Sequence, residues 1–566
     1  MKDIAFVDIL LRFGFIPFST GMSARTQIIE VGVMSDWLWW RDGVIYQIYP
    51  RSFADSNGDG IGDLNGIMGK LDYLADLGVD AIWLSPIYPS PDVDFGYDVA
   101  DYYGIDPKYG SMDDFHRLLD EAHARGIRVI MDLVLNHTSD QHPWFIQSRS
   151  SRENPYRDWY IWRDGRNPHS PPNNWGSVFG GRGWKFDPST GQWYYHMFAP
   201  QQPDLNWRYE PVRQEMLNIF RYWLDKGVDG FRLDVFNEYF KDDQFRDNPW
   251  KLGIRRFESQ KHVYDADRPE MMELVEAIRL ILDEYSQRYA VGETYLADEK
   301  RAVEFTGLSR LHAAFDFSLL HSKWSAASFM KTAQYWDTLN IADHWPNNVM
   351  NNHDNPRSAS RYGRGEKDER LKVAAAFLLT LRGTPFLYQG EEIGMRDIHL
   401  NASELRDPVG KKYWPLKVGR DGCRSPMQWD GSEFSGFSSV KPWLKVHPNH
   451  TFRNVENQLQ DPESLLHFYR KLLQVRKSSK ALQRGMFQPI TFDPQRLAAY
   501  LRQDDSETVL VALNFGRRKV RLGLGPDLAN RDWELLVSSK NRSAVGIKNR
   551  WLPLSGEEVC ILKSRN

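Results

Sequence analysis

An α/β chain built on a (β/α)₈ barrel, with an inserted subdomain after the third strand and a C-terminal β-sandwich, is the architecture that three observations predict. Eight β-type runs, at 44–49, 81–85, 129–135, 230–235, 290–293, 313–317, 348–352 and 384–388, alternate with helical ones. That alternation is the pattern of a parallel sheet with crossover helices. The third connection, over 138–207, is rich in Pro, Gly, Trp and Tyr and has no helical period, so it reads as a small folded insert. Beyond about Gln483 the texture changes to short alternating runs such as 508–513 and 534–537, which read as a sandwich.

In chain order, an apolar-leaning run at 9–17 is interrupted by Arg12 and preceded by Asp3 and Asp8, too short for a signal core. Residues 1–36 therefore read as a poorly ordered extension, and the first part of the barrel spans 37–137. After the first strand, Ile67, Leu71, Leu74 and Leu77 repeat at helical spacing and stop at Gly78. After the second, Phe115, Leu118, Leu119 and Ala122 do so behind Ser111, an N-cap with Asp114 three residues on. The insert is assigned to 138–206. A helical run ending in Tyr222, Trp223 and Leu224 closes on Gly227 and leads into the fourth strand. The second barrel segment then runs over 207–482, including a long polar excursion at 401–454 and a helix at 465–475. The sandwich takes 483–566.

With 566 residues and 66.0 kDa, the chain can bury a large core. A net charge of −3 supplies no basic excess to neutralise phosphates, which argues against nucleic acid. No window approaches a spanning helix, which argues against a membrane. Two cysteines, Cys423 and Cys560, make no disulfide framework and fit a reducing, cytoplasmic setting. Aromatic residues reach 13%. Most serve the core, and such a supply also suits a sugar cleft, because ring faces stack on the C–H faces of pyranoses.

Polar residues stand at strand ends where packing alone would not ask for them. Asp234 closes the fourth strand on the same face as Arg232, a pair that alone reads equally as a structural ion pair. The third strand ends in Asn136 and His137, the fifth in Glu293, the seventh in His353 and Asp354. In a barrel these positions converge on the C-terminal mouth, where the chemistry of such folds sits.

The four strings DLVLNH, GFRLDV, GET and NNHDN resemble the signature regions of glycoside hydrolase family thirteen, the α-amylase family, from Trp37 onward. The strings QPDLNW at 202–207 and CRSPMQW at 423–429 resemble its α-glucosidase and oligo-1,6-glucosidase branch; many relatives carry Thr at the position of Ser425. The resemblance implies Asp234 as nucleophile, Glu293 as general acid/base and Asp354 as the third carboxylate. It implies His137 and His353 as hydroxyl donors, and the string FGYD as the non-reducing-end clamp, with Asp98 accepting and Tyr97 stacking. Phe179, Phe198, Gln202 and Arg424 complete the implied pocket; for either Phe alone a core role serves as well. A retaining glycosidase needs one anionic and one protonated carboxyl. Arg232 is expected to hold Asp234 ionised, and apolar surroundings to raise the Glu293 carboxyl.

The loop after the first strand carries Asp55, Asn57, Asp59, the Ile61 carbonyl and Asp63, oxygen donors at alternate positions that suit Ca²⁺ or Mg²⁺. It starts like an EF-hand but has Gly66 at position twelve; the other reading is an Asp/Asn-rich loop that caps the next helix. No organic cofactor is expected. The resemblance implies a retaining, exo-acting α-glucosidase on short oligosaccharides with α-1,6 or α-1,4 bonds, with Val235 beside the nucleophile favouring α-1,6. Two further readings share the barrel: a glucosyl-transferring isomerase of the trehalose synthase or sucrose isomerase type, and a non-catalytic transporter heavy-chain-like barrel.

Overall fold

Eight short runs, most of them rich in Val, Ile, Ala, Leu and aromatic residues and nearly all buried, form the parallel strands of one sheet. They are β1 (Ile45–Ile48), β2 (Ala81–Leu84), β3 (Arg128–Leu133), β4 (Gly230–Leu233), β5 (Tyr289–Gly292), β6 (Ala313–Ala314), β7 (Asn347–Val349) and β8 (Thr384–Tyr388). Their spatial order is β7-β8-β1-β2-β3-β4-β5-β6, parallel at every pairing, so the sheet curls into a nearly closed barrel. The computed structural model describes residues 37–566 apart from 168, 296–297, 316, 340–342, 493–494, 541, 543 and 566. The expected extension at 1–36 lies outside the described residues.

Local signals place the helices as read. Ser111 and Asp114 form a full capping box on the helix Met112–Ala124. The helix Glu210–Asp225 buries Met216, Ile219, Phe220 and Trp223, and Gly227, at φ +96°, turns the chain into β4.

Several strands are shorter than their apolar runs. β3 ends at Leu133, because Asn136 accepts from the Leu205 amide and the Leu135 carbonyl accepts from the Trp207 indole. β4 ends at Leu233, β5 at Gly292 and β7 at Val349, each one to three residues before its polar tail. The Asp234 amide still donates to the Leu133 carbonyl and the Glu293 amide to the Leu233 carbonyl, so these carboxylates are carried to the mouth by the ends of the ladder itself.

The connection after β3 holds a three-stranded antiparallel sheet of Trp162–Arg163, Gln192–Tyr195 and Trp184–Asp187. Its apolar core, Trp175, Phe179, Trp184, Tyr195 and Phe198, continues into Phe257 of the loop after β4 and into Val235 itself. The insert is thus packed onto the residue that follows Asp234. The C-terminal part is a five-stranded antiparallel sheet from Met486–Phe492 to Val559–Arg565, faced by the pair Val520–Gly523 and Trp551–Leu554 across a core of Leu510, Leu522 and Leu552.

Candidate active site

Arg232, on β4 and 1% exposed, gathers three carboxylates from three neighbouring strands. Its Nη1 lies 2.6 Å from Asp132 Oδ1 and 2.7 Å from Asp234 Oδ1, and its Nη2 lies 2.5 Å from Glu293 Oε2. Burial first, then Glu293, Asp132 and Asp354, push the Asp234 carboxyl well above its ordinary range against the pull of Arg232. Burial likewise pushes Asp132 up to about 6 despite Arg232. Arg232 thus acts on Asp234 in the expected direction, favouring the charged carboxylate, while burial and the acidic neighbours act against it.

Val235 then turns the chain in a left-handed conformation at φ +37°, rare for a β-branched residue. That turn points its N–H at Glu293 Oε2, 3.3 Å away. The glycine of β5 is required by close approach, since a Cβ at Gly292 would lie 2.3 Å from the Phe236 ring.

Behind the carboxylates, the Tyr97 hydroxyl bonds Asp132 Oδ2 at 3.1 Å and His353 Nε2 at 2.6 Å, and the two rings are parallel. Gln47 Nε2 donates to His353 Nδ1 at 2.7 Å, which places the ring hydrogen on Nε2. Burial lowers His353 to about 3 and His137 to about 4, so both are neutral donors. His137 directs Nε2 at the Tyr97 carbonyl, 2.9 Å away. Asp354 is different: burial acts to raise it, but His353, Arg420, Arg424 and Arg232 more than offset this and hold it well below the carboxylate range. Arg424 Nη2 donates to Asp354 Oδ1 at 2.7 Å.

These groups open onto a cleft of about 580 Å³ at the C-terminal mouth, lined by Tyr97, His137, Phe179, Phe198, Asp234, Glu293 and Asp354 among others. Its size suits a ligand of one to a few sugar rings. Arg232, His353, Gln202 and Arg424 lie behind this lining and orient it. Gln202 Nε2 donates to the Tyr97 carbonyl at 3.0 Å, and Arg424 Nε to the His353 carbonyl at 2.7 Å.

Asp98 does not reach the cleft, and its expected clamp role is corrected. It is fully buried, and its two oxygens accept from the Ser90 hydroxyl and from the Val93 and Asp94 amides. Asp94, four residues earlier, lines the cleft instead, paired at 2.5 Å with Arg420, which also lines it. Both were missed in sequence: Asp94 sits just before the recognised string FGYD and Arg420 three residues before CRSPMQW. Arg255, Asp298, Glu299, Phe317 and Lys417, on the outer side of the cleft, were missed as well.

In the loop after β1, Asp55 accepts from the Asn57, Gly58 and Gly60 amides and the Ser438 hydroxyl, Asn57 from Asp59, and Asp59 from Ile61. Asp63 caps the helix Leu64–Met68 through the Gly66 amide and also accepts twice from Ser56. The Asn57, Asp59 and Ile61 oxygens keep free lone pairs. Among the described residues no group of three or more His, Cys, Asp or Glu side chains is gathered as a metal cluster.

An eight-stranded parallel barrel whose mouth gathers buried carboxylates, neutral histidines and a cleft of sugar size defines a barrel-type glycoside hydrolase. Residues 47–485 match the family model described as "Alpha amylase, catalytic domain", and the chain belongs to the α-amylase family. It is 44% identical over 497 residues to a probable alpha-glucosidase of Rhizobium meliloti (strain 1021), covering 84% of this chain and 89% of that one. It is 41% identical over 535 residues to an oligo-1,6-glucosidase of Parageobacillus thermoglucosidasius, covering 89% and 95%. A solved alpha-glucosyl transfer enzyme superposes with a TM-score of 0.88 at 40% identity, covering 94% of this chain and 100% of that one. Similar proteins also include a trehalose-6-phosphate hydrolase of Bacillus subtilis (strain 168) at 37% identity and a solved trehalulose synthase at 36%.

Proposed function

We propose that the protein is a retaining α-glucosidase that removes terminal non-reducing glucose from short α-linked oligosaccharides. The observation that carries this reading is the double engagement of Arg232, which sets Asp234 and Glu293 on one guanidinium at the same end of the cleft. Asp234 Oδ attacks the anomeric carbon as Glu293 passes its proton to the departing glycosidic oxygen. In the second half Glu293 takes a proton from water, the hydroxide oxygen bonds the anomeric carbon, and the Asp234 ester opens. Asp354, kept anionic by Arg424 and Arg420, accepts from ring hydroxyls, with neutral His137 and His353 beside it. Asp94 and Arg420, stacked against Phe179 at 5.3 Å, form the far wall for the outer hydroxyls of the terminal ring.

The acidic lining favours neutral substrates over phosphorylated ones. Asp94, Asp234, Glu293, Asp298, Glu299 and Asp354 outnumber Arg255, Lys417 and Arg420, and Arg255 and Lys417 already share Glu258. The runner-up, transfer of glucose to a second sugar as in the relatives named for transfer or synthase activity, differs in what captures the glucosyl-enzyme. Incubating pure protein with isomaltose, maltose, sucrose, trehalose and trehalose 6-phosphate, with products followed by NMR, separates the readings. Release of α-glucose from the first two supports hydrolysis; an isomeric disaccharide from sucrose overturns it, and cleavage of the phosphate alone overturns the charge argument.

The loop of Asp55, Asn57, Asp59, Ile61 and Asp63 is assigned to a structural Ca²⁺ or Mg²⁺. Its all-oxygen donor set and the open oxygens of Asn57, Asp59 and Ile61 support this. No catalytic step runs through the loop.

A further inference from the structure

We propose that Asp407, which lies outside the cleft lining, is a positioning residue for Arg420 and through it for the outer hydroxyls of the terminal sugar. The inference rests on reading Asp94 and Arg420 as the far wall of the glucose pocket. Asp407 N-caps the short helix Pro408–Tyr413, but only one of its oxygens does so, accepting from the Gly410 amide at 3.0 Å. The other, Oδ1, accepts from Arg420 Nε at 2.6 Å and faces Nη2 at 2.6 Å.

The Arg420 guanidinium is thereby held on three sides. Asp407 takes Nε and Nη2 from behind, Asp94 takes Nη2 at 2.5 Å, and Asp354 faces Nη1 at 3.5 Å. Its face rests on the Phe179 ring. Asp94 and Asp354 both border the cleft, so the guanidinium would swing between them on substrate binding were it not tied from outside. Asp407 is the tie.

Two features indicate that this tie is built rather than incidental. Asp407 is fully buried, and both its own amide and that of Arg406 donate to Asp421 Oδ2, at 2.9 and 2.7 Å. Gly419, next to Arg420 and at φ +72°, clears the space: a Cβ there would lie 2.4 Å from Asp407 Oδ2 and 2.8 Å from the Gly410 amide nitrogen. The clearance lets Oδ2 stay on the Gly410 amide and so leaves Oδ1 to Arg420, a second acceptor that a plain helix cap would not need.

The experiment compares wild type and Asp407→Asn on p-nitrophenyl α-glucoside and on its 4-deoxy and 6-deoxy analogues. Asn keeps the volume and one acceptor but removes the charge. The expected result is a loss of about tenfold in kcat/KM on the parent glycoside, carried mostly by KM. On at least one deoxy analogue wild type and variant should agree within about twofold, because the contact that Arg420 makes is already missing there. An equal loss on all three substrates marks a merely structural role and overturns the inference, as does an unchanged parent activity. If Asp407→Asn does not fold, Gly419→Ala, which keeps the carboxylate and displaces it, is read by the same comparison. A wild type inert towards the parent glycoside sinks the α-glucosidase reading and the inference with it; an active wild type with a uniform loss sinks the inference alone.

Discussion

The two ends of the cleft are built by opposite means. At the inner end Asp132 on β3 and Arg232 on β4 are joined with side chains at most 1% exposed, and Arg424, from the connection after β8, is fully buried against a 31% exposed Asp354. At the outer end Arg255, Glu258 and Lys417 are 16%, 35% and 47% exposed and hang on the long connections after β4 and β8. Ion pairs of that exposure contribute roughly 0–1 kcal/mol, whereas breaking one partner of a buried pair costs about 3–5 kcal/mol. The inner end is therefore the more costly of the two to alter, and the outer end the more easily changed.

The sharpest break of that contrast is Asp234→Asn, which removes the attacking oxygen with almost no change of volume. Activity should fall by at least about 10³-fold while the chain still folds, as checked by circular dichroism. Glu293→Gln should fail on isomaltose yet keep faster release of p-nitrophenol, a leaving group that needs no proton; equal slowing on both substrates contradicts the acid role.

Acid is the next probe, because the inner end carries neutral buried histidines. His137 and His353 have folded-state values of about 4 and about 3, below the ordinary 6.5. The unfolded chain thus binds more protons across that interval, so their stabilisation is complete above about 6.5 and is lost as pH falls towards 4 and 3. The melting temperature should drop between pH 7 and 4, and His353→Gln should flatten the drop. A pH-independent melting temperature over that range would remove the electrostatic half of the contrast.

Val235 sits where the two ends meet, packed in the same apolar cluster as Phe179, Phe198 and Phe257. Isomaltose should be cleaved at least as well as maltose, because a β-branched wall crowds a 4-linked ring more than a 6-linked one. Val235→Ala, which removes the β-branch, should tilt the ratio of kcat/KM towards maltose by about 1–3 kcal/mol at most. An unmoved ratio assigns linkage choice to the outer loops.

The smallest effect belongs to the loop of Asp55 to Asp63. Chelation should lower the melting temperature by a few degrees, roughly 2–4 °C, with little change in turnover at moderate temperature. An ion-free protein by elemental analysis leaves the loop as a helix cap held by Asp63 alone.

Much of the inner end was legible because its signals are local. Asp234 follows a buried run that begins just after Gly227, Glu293 follows Gly292, and Asp354 sits in NNHDN. Strand period and barrel topology then bring such tails to one mouth. The capping box of Ser111 and Asp114 is of the same kind, a spacing that needs no distant partner. Asp98 was misplaced for the converse reason. Asp94 and Asp98 are both acidic and four apart in a loop, and no local pattern says which one faces a cavity.

By itself, the sequence determined the barrel, the insert and the strand-end carboxylates, since alternation, apolar run length and turn residues act over a few neighbours. Only the tertiary structure decided that Arg232 is divided among three carboxylates, that Asp94 meets Arg420 across 326 positions, and that Asp98 turns inward to backbone amides. Charges interact through space at a few ångströms whatever their separation along the chain. Their partners are chosen by where the loops close and not by what precedes them.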